Sequence, residues 1–337
     1  MKRLLGCAAA IALSLTPECH GTVVYVDDSN RGCEDGSPAH PWNTVQEGIN
    51  GAAPGDEVAV AEGRYTENVA FKGGIFLRGG YDGTTWQRNP GTRVSELNGE
   101  ILAEGNVSGS IEGFTINGSI GMLYDSAPGV MTICDNRIRG MTYDAISIFD
   151  IGHKEVIVRK NYCSGGPGNG FSSLYFASGT LRIENNVFCA METAGIVVVD
   201  HTASVRINNN TIDNNAEAGI VYMNGEKTAT GRSYATCDNN SVTHNGRGFD
   251  DDGTLSRDYN DVWGNGLNYY SIAPPGPHDI SRPPCFVDPA HGNYRLFPGG
   301  RRLVRSPCID AGVNVGLPYW GAAPDMGAYE CSPYLEP

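Results

Sequence analysis

Between residues 111 and 262 the apolar positions come in short β-branched runs that alternate with polar ones at period two, and from residue 133 on a shared asparagine recurs in them. The segments IEGFTI (111–116), ICDNRI (133–138), VRKNYC (158–163), IENNVF (183–188), INNNTI (207–212) and CDNNSV (237–242) are copies of one phrase, and RDYNDV (257–262) is a weaker copy. Their shared asparagines are Asn136, Asn161, Asn186, Asn210, Asn240 and Asn260, at steps of 25, 25, 24, 30 and 20 residues. A second apolar run follows at a fixed offset: DAISIF (144–149), NGFSSL (169–174), AGIVVV (194–199), AGIVYM (218–223) and RGFDDD (247–252). Period two predicts strands, and self-similarity over two dozen residues predicts a repeat architecture. One unit is too small to bury its own apolar face, so neighbouring units must stack. The expectation is an all-β solenoid, a parallel β-helix with coils ~4.8 Å apart. The asparagines would form an internal ladder whose amides bond above, below and to the bent backbone at the corner.

The flanks predict how the stack is closed. TVVYVDD (22–28) reads as a first strand, and its acidic loop (27–37) has oxygen donors of the kind calcium takes. HPWNTVQEGINGA (40–52) reads as a helix with Pro41 near its start and Val45, Ile49 and Ala52 on one face. Such a helix would cover the first coil and block edge-to-edge pairing. EVAVAEG (57–63), ENVAF (67–71) and GIFLRGGYD (74–82) read as short strands. TTWQRNPGTR (84–93) is a loop excursion whose Trp86 faces solvent or packs on the cap. The predicted division is a cap with first coils over 22–94, coils over 95–265, and a Pro-rich, loop-rich tail over 266–337 that packs on or caps the solenoid.

Lys2 and Arg3, then the apolar run Leu4–Leu15, predict an export signal over residues 1–21. That run is too short to span a bilayer as a helix, so the chain is expected to be secreted with no membrane span. Ten cysteines in an exported chain permit disulfides. Cys285, Cys308 and Cys331 are the better candidates, whereas Cys163 and Cys237 fall on inward columns, where a free buried thiol is as consistent as a disulfide. The formal net charge of −14 argues against nucleic acid or an anionic membrane surface as partner. A polyanionic ligand would need a local basic patch or bound cations. GGPGNG (165–170) lacks the lysine of a phosphate loop.

The opening YVDDSN…DGSPAHPWNTVQEGINGAAPGDEVAVAEGRYTENV resembles the N-terminal segment of secreted right-handed parallel β-helix proteins of the pectin-lyase-like superfamily. The ending DYNDVWGN…CFVDPAHGNYRLFPG…SPCIDAG…APDMGAYE resembles the tail of bacterial choice-of-anchor surface proteins. The resemblance covers nearly the whole chain after residue 21. It implies a right-handed coil, export and an extracellular polysaccharide as partner. That superfamily holds lyases, hydrolases, epimerases and adhesins, so no single activity follows from it. Of the stricter hydrolase motifs only the Asp251-Asp252 pair is present.

Candidate chemistry comes from the coil register. Asp150, Tyr175, Asp200 and Asn224 share one row at the end of the second strand, with His153, Lys154 and His201 beside it. A polysaccharide lyase needs a base and a cation on the uronate carboxyl; Lys154 or His201 could be the base, with Asp150 and Asp200 holding calcium. A glycoside hydrolase needs two carboxylates; Asp150 and Asp200, two rungs apart, would be ~9.6 Å apart, at the edge of the inverting range. Tyr175, Asn224 and Arg247 would bind substrate. Asp250, Asp251 and Asp252, near His244 and Arg247, form a second cluster; one of the three must face inward, which requires a partner or a metal such as calcium. The sequence therefore predicts a monomeric, exported β-helix that binds and cleaves a polysaccharide, with a non-catalytic binding or surface-display module as the alternative.

Overall fold

Each turn of chain in the repeat region makes three strands, not two. The phrase read as one strand is two, folded at its asparagine: in one coil they are Gly179–Glu184 and Val187–Met191, followed by Ala194–Val199. The computed structural model of the protein describes residues 21–105, 107–125, 127–152, 154–175, 178–199, 204–224, 235–270, 274–300 and 304–332. Like strands stack in parallel into three sheets. Sheet one has ten strands, from Val23–Val26 to Ser256–Asp258; sheet two has nine, from Gly63–Tyr65 to Asp261–Trp263; sheet three has nine, from Val69–Phe71 to Leu267–Tyr269. Inward positions stay in register from coil to coil. In sheet one the column is Ile111, Ile133, Val158, Ile183, Ile207 and Cys237; in sheet three it runs Ile101, Ile120, Ile146, Phe171, Ile196, Ile220 and Phe249. All of these are fully buried, each worth about 1.5–3 kcal/mol by area removed from water.

The asparagine ladder forms as expected at the corner between sheets one and two. Each Nδ2 donates to the Oδ1 of the next rung, at 3.1 Å for Asn136 to Asn161 and 3.0 Å for each step from Asn161 to Asn260. Each Oδ1 also accepts the backbone N–H of the rung before it, as in Asn161 to Asn186 at 2.9 Å. The residue before each rung (Asp135, Lys160, Asn185, Asn209, Asn239, Tyr259) is left-handed, with φ between 53° and 60°. A second ladder, absent from the sequence reading, joins Asn215, Asn245, Asn265 and Asn268 at the corner of sheets two and three, with steps of 2.8, 3.0 and 3.0 Å.

The helix is shorter than expected, Val45–Gly51. Thr44 caps it, accepting the Glu47 N–H at 3.2 Å while its hydroxyl donates to Glu47 at 2.8 Å. The Glu67 carboxylate takes the next N–H groups, Val45 at 2.8 Å and Gln46 at 3.0 Å. Residues near Pro41 are instead drawn into the first strand, where Trp42 donates its N–H to Tyr25 at 2.9 Å. The helix sits over the first coil so closely that a Cβ on Gly48 would lie 2.4 Å from Val26. Trp86 packs on this cap, edge-on to Tyr25 at 4.6 Å.

The tail both ends the ladder and covers a face. Asp279 takes the place of a seventh rung, accepting the Asn260 N–H at 2.8 Å, and Ile280 adds a parallel bridge beside Asp261. The chain then turns through the hairpin Phe286–Asp288 and Asn293–Leu296 and returns along the outside of sheet two. There Tyr294 and Ala328 bury Val187 and Cys189. Three left-handed corner asparagines hold tail carbonyls: Asn185 to Ala328 at 3.3 Å, Asn209 to Asp325 at 3.0 Å and Asn239 to Val313 at 2.7 Å. The eight described cysteines are free thiols. Cys163 and Cys237 are buried as expected; Cys308, expected to be in a disulfide, is buried with its thiol 3.2 Å from Asp261.

Burial raises the carboxyls of Asp261 and Asp325 to about 6 and that of Glu330 to about 7. These groups bind protons more tightly folded than unfolded, so their contribution to the docked tail is full below the ordinary carboxylate range near 4 and is lost as pH rises through 6 to 7. Asp310, held low chiefly by Arg305, titrates outside this window. Tail amides are expected to exchange hydrogen more slowly, relative to their intrinsic rates, at pH 5 than at pH 8. Equal protection at both would refute this.

Candidate functional site

With the later coils of sheet two covered by the tail, the flanks open along those coils are sheets one and three. The outward positions of a solvated strand are normally polar. On sheet three one outward column is not: Leu123, Phe149, Leu174, Val199 and Met223 stand in register on five successive coils, all half-exposed. Tyr124 and Tyr175 flank this column, 64% and 53% exposed. Phe149 lies between them with its ring edge-on to both, at 6.3 Å and 5.6 Å between centroids. Both tyrosines have left-handed backbones, φ 51° and 59°, a conformation that costs a bulky residue about 1–2 kcal/mol.

At the Leu123 end the strip runs into a cleft of about 230 Å³ lined by Leu102, Gly121, Leu123, Tyr143, Asp144 and Ser147. Gly121 keeps its floor open, since a Cβ there would come within 3.2 Å of Leu102. Asp144 is fixed in the wall: its carboxylate accepts the Asn169 N–H at 2.7 Å and Nδ2 at 2.9 Å, and the Ser172 hydroxyl. The arrangement offers flat apolar rings beside hydrogen-bond acceptors. Sheet one has a larger groove, about 600 Å³, with Phe76, Arg78, Glu112, Thr132 and Arg159 in its lining. Its Arg78 is held between Glu57 at 2.7 Å and Glu112 at 3.3 Å.

Tyr175 stands on the row predicted for it, and the backbone of Asp150 falls on that row between Tyr124 and Tyr175. The Asp150 side chain, and His153, Asp200 and His201 altogether, lie outside the described residues. Lys154 is not on the flank. It is 2% exposed and faces inward in phase with Val156 and Val158, between Gly129 and Gly179. A lysine in that position cannot meet a polymer lying outside the coil.

The acidic cluster does not converge as a metal site either. Asp250 pairs with Arg247 at 2.7 Å, and Arg247 lies over the Tyr270 ring at 5.0 Å. Asp251 faces inward two residues after Phe249 and forms a buried ion pair with Arg257. Asp252 accepts the Asn224 N–H at 2.8 Å and the Thr254 N–H at 3.1 Å. Among the described residues no three His, Cys, Asp or Glu side chains gather as metal ligands. The sequence reading also missed Asp213, which accepts the His244 Nδ1–H at 2.7 Å, the Thr243 hydroxyl at 2.7 Å and the Tyr294 hydroxyl at 3.1 Å. These partners come from another coil and the tail, and no local motif marks them.

Stacked three-strand coils of this kind define a right-handed parallel β-helix. The chain belongs to the family described as the right handed beta helix region, whose sequence model matches residues 98–270. A search of curated proteins finds no match. Among solved structures the chain is similar to the pectate lyase Pel9A, at 15% identity and a TM-score of 0.41, over 93% of this chain and 97% of that one. It is also similar to the A-module of the Azotobacter vinelandii mannuronan C-5 epimerase AlgE6, at 12% identity and 0.30, over 71% and 94%. A mutant tailspike protein of E. coli bacteriophage HK620 in complex with a pentasaccharide is similar at 10% and 0.30, over 76% and 65%. No helix of the described residues is long and apolar enough to cross a membrane.

Proposed function

We propose that this protein is an exported, monomeric β-helix that binds an extracellular polysaccharide along the outside of sheet three, without cleaving it. The observation that supports this reading is the Tyr124–Phe149–Tyr175 strip, continuous with the Leu102–Tyr143 cleft. A sugar ring has an apolar face and a rim of hydroxyls. It matches aromatic rings flanked by acceptors, and a polymer matches a row that repeats from coil to coil. The two tyrosines stand two coils apart, roughly 9.6 Å by strand spacing, so one extended chain can touch both. Against cleavage stand the inward Lys154 and the engaged carboxylates of Asp250 and Asp251.

Affinity electrophoresis and calorimetry against soluble polysaccharides test the reading. Tyr124→Ala and Tyr175→Ala should each weaken binding about fivefold, or about 1 kcal/mol, with the far-ultraviolet circular dichroism unchanged. Both side chains are exposed, so the fold is not at risk. Wild-type affinity in the double variant would remove sheet three as the binding face. Steady formation of unsaturated uronate ends or new reducing ends would show that the protein is an enzyme after all.

A further inference from the structure

Resting on the reading of sheet three as a glycan-binding face, we infer that its ligand is an uncharged polysaccharide, not a uronate polymer. Carboxylates border the strip on three sides. Glu104 is exposed and directly above Leu123 in register. Glu100 and Asp144 line the adjoining cleft. At the far end Asp252, half-exposed, is tied to the backbone of Asn224, the residue after Met223.

Carboxylates only accept hydrogen bonds, so they suit the hydroxyl donors of a neutral sugar. A uronate would set its own carboxylate against them over an apolar floor, where water and salt screen poorly. Arg247 does not reverse this, because Asp250 already holds it at 2.7 Å and Tyr270 covers it. The net charge of −14 acts in the same direction at long range.

The test uses the full chain and two probes matched in length, a soluble neutral β-glucan and polygalacturonate, each at low and high salt. The glucan should bind with an affinity that salt barely changes, and polygalacturonate at least roughly tenfold more weakly. The variant Glu100→Gln/Glu104→Gln alters exposed side chains only; it should narrow that gap by improving polygalacturonate binding. Polygalacturonate binding tighter than the glucan, through Tyr124 and Tyr175, would overturn the inference while leaving sheet three as a glycan site. Failure of both polymers to bind, or binding indifferent to Tyr124→Ala and Tyr175→Ala, would instead overturn the reading beneath it.

Discussion

Asn186→Ala is expected to lower the unfolding free energy by about 3–5 kcal/mol, far more than an ordinary side-chain truncation. The side chain is fully buried. Its Oδ1 accepts the Asn161 N–H at 2.9 Å and the Asn161 Nδ2 at 3.0 Å. Its Nδ2 donates to the Val158 carbonyl at 2.8 Å and the Asn210 Oδ1 at 3.0 Å. Removing the amide leaves several of these groups buried without a partner, and each orphaned group costs about 1–3 kcal/mol. The defect sits between coils, so it also weakens the interface on which a solenoid's cooperativity depends. Lys160→Gly makes the contrast. Lys160 is exposed, left-handed at φ 56° and outside the ladder, so glycine there should be neutral or stabilising. Urea unfolding of both variants checks the claim. Equal, small effects would mean that apolar columns alone set the register.

The ladder was legible because a rung must recur at the coil length, and nothing else in a loop enforces that. The second ladder left the same trace. Asn215, Asn245 and Asn265 each lie five residues after a rung of the first, a coincidence repeated three times. The apolar strip was legible too, since IVVV and IVYM are apolar on both strand phases where a half-buried strand needs only one. Lys154 was misplaced by reading it with the loop before it. Extending the alternation back from Val158 and Val156 puts it inside. What could not be read is which face the tail covers. Its contacts with Asn185, Asn209 and Asn239 join residues more than 70 positions apart, and it repeats nothing. Its cover over the later coils of sheet two decides which flanks stay open there, so the choice of face needed coordinates.

Arg257→Leu is expected to destabilise the protein by about 3–5 kcal/mol, the usual consequence of leaving a buried charge without its partner. Both side chains are sealed, with Asp251 0% and Arg257 2% exposed. The guanidinium lies over the Phe249 and Tyr269 rings at 5.1 and 5.3 Å, and those rings stack at 5.9 Å. Its Nη2 reaches the Pro274 carbonyl of the tail at 3.3 Å. The pair thus replaces apolar side chains in the last layers of the core, where another apolar coil would invite a further copy to stack. The double variant Arg257→Leu/Asp251→Leu removes both charges and should recover much of the loss, because an apolar pair of similar volume is often as stable as the ions. A cycle of the two single variants and the double one should give a coupling of a few kcal/mol. The same cycle decides the calcium question for this cluster. With Arg257 neutralising Asp251, calcium or a chelator should leave the wild type's unfolding midpoint where it is. A midpoint raised by calcium and lost in Asp251→Leu would show that the ion, not the arginine, balances that carboxylate.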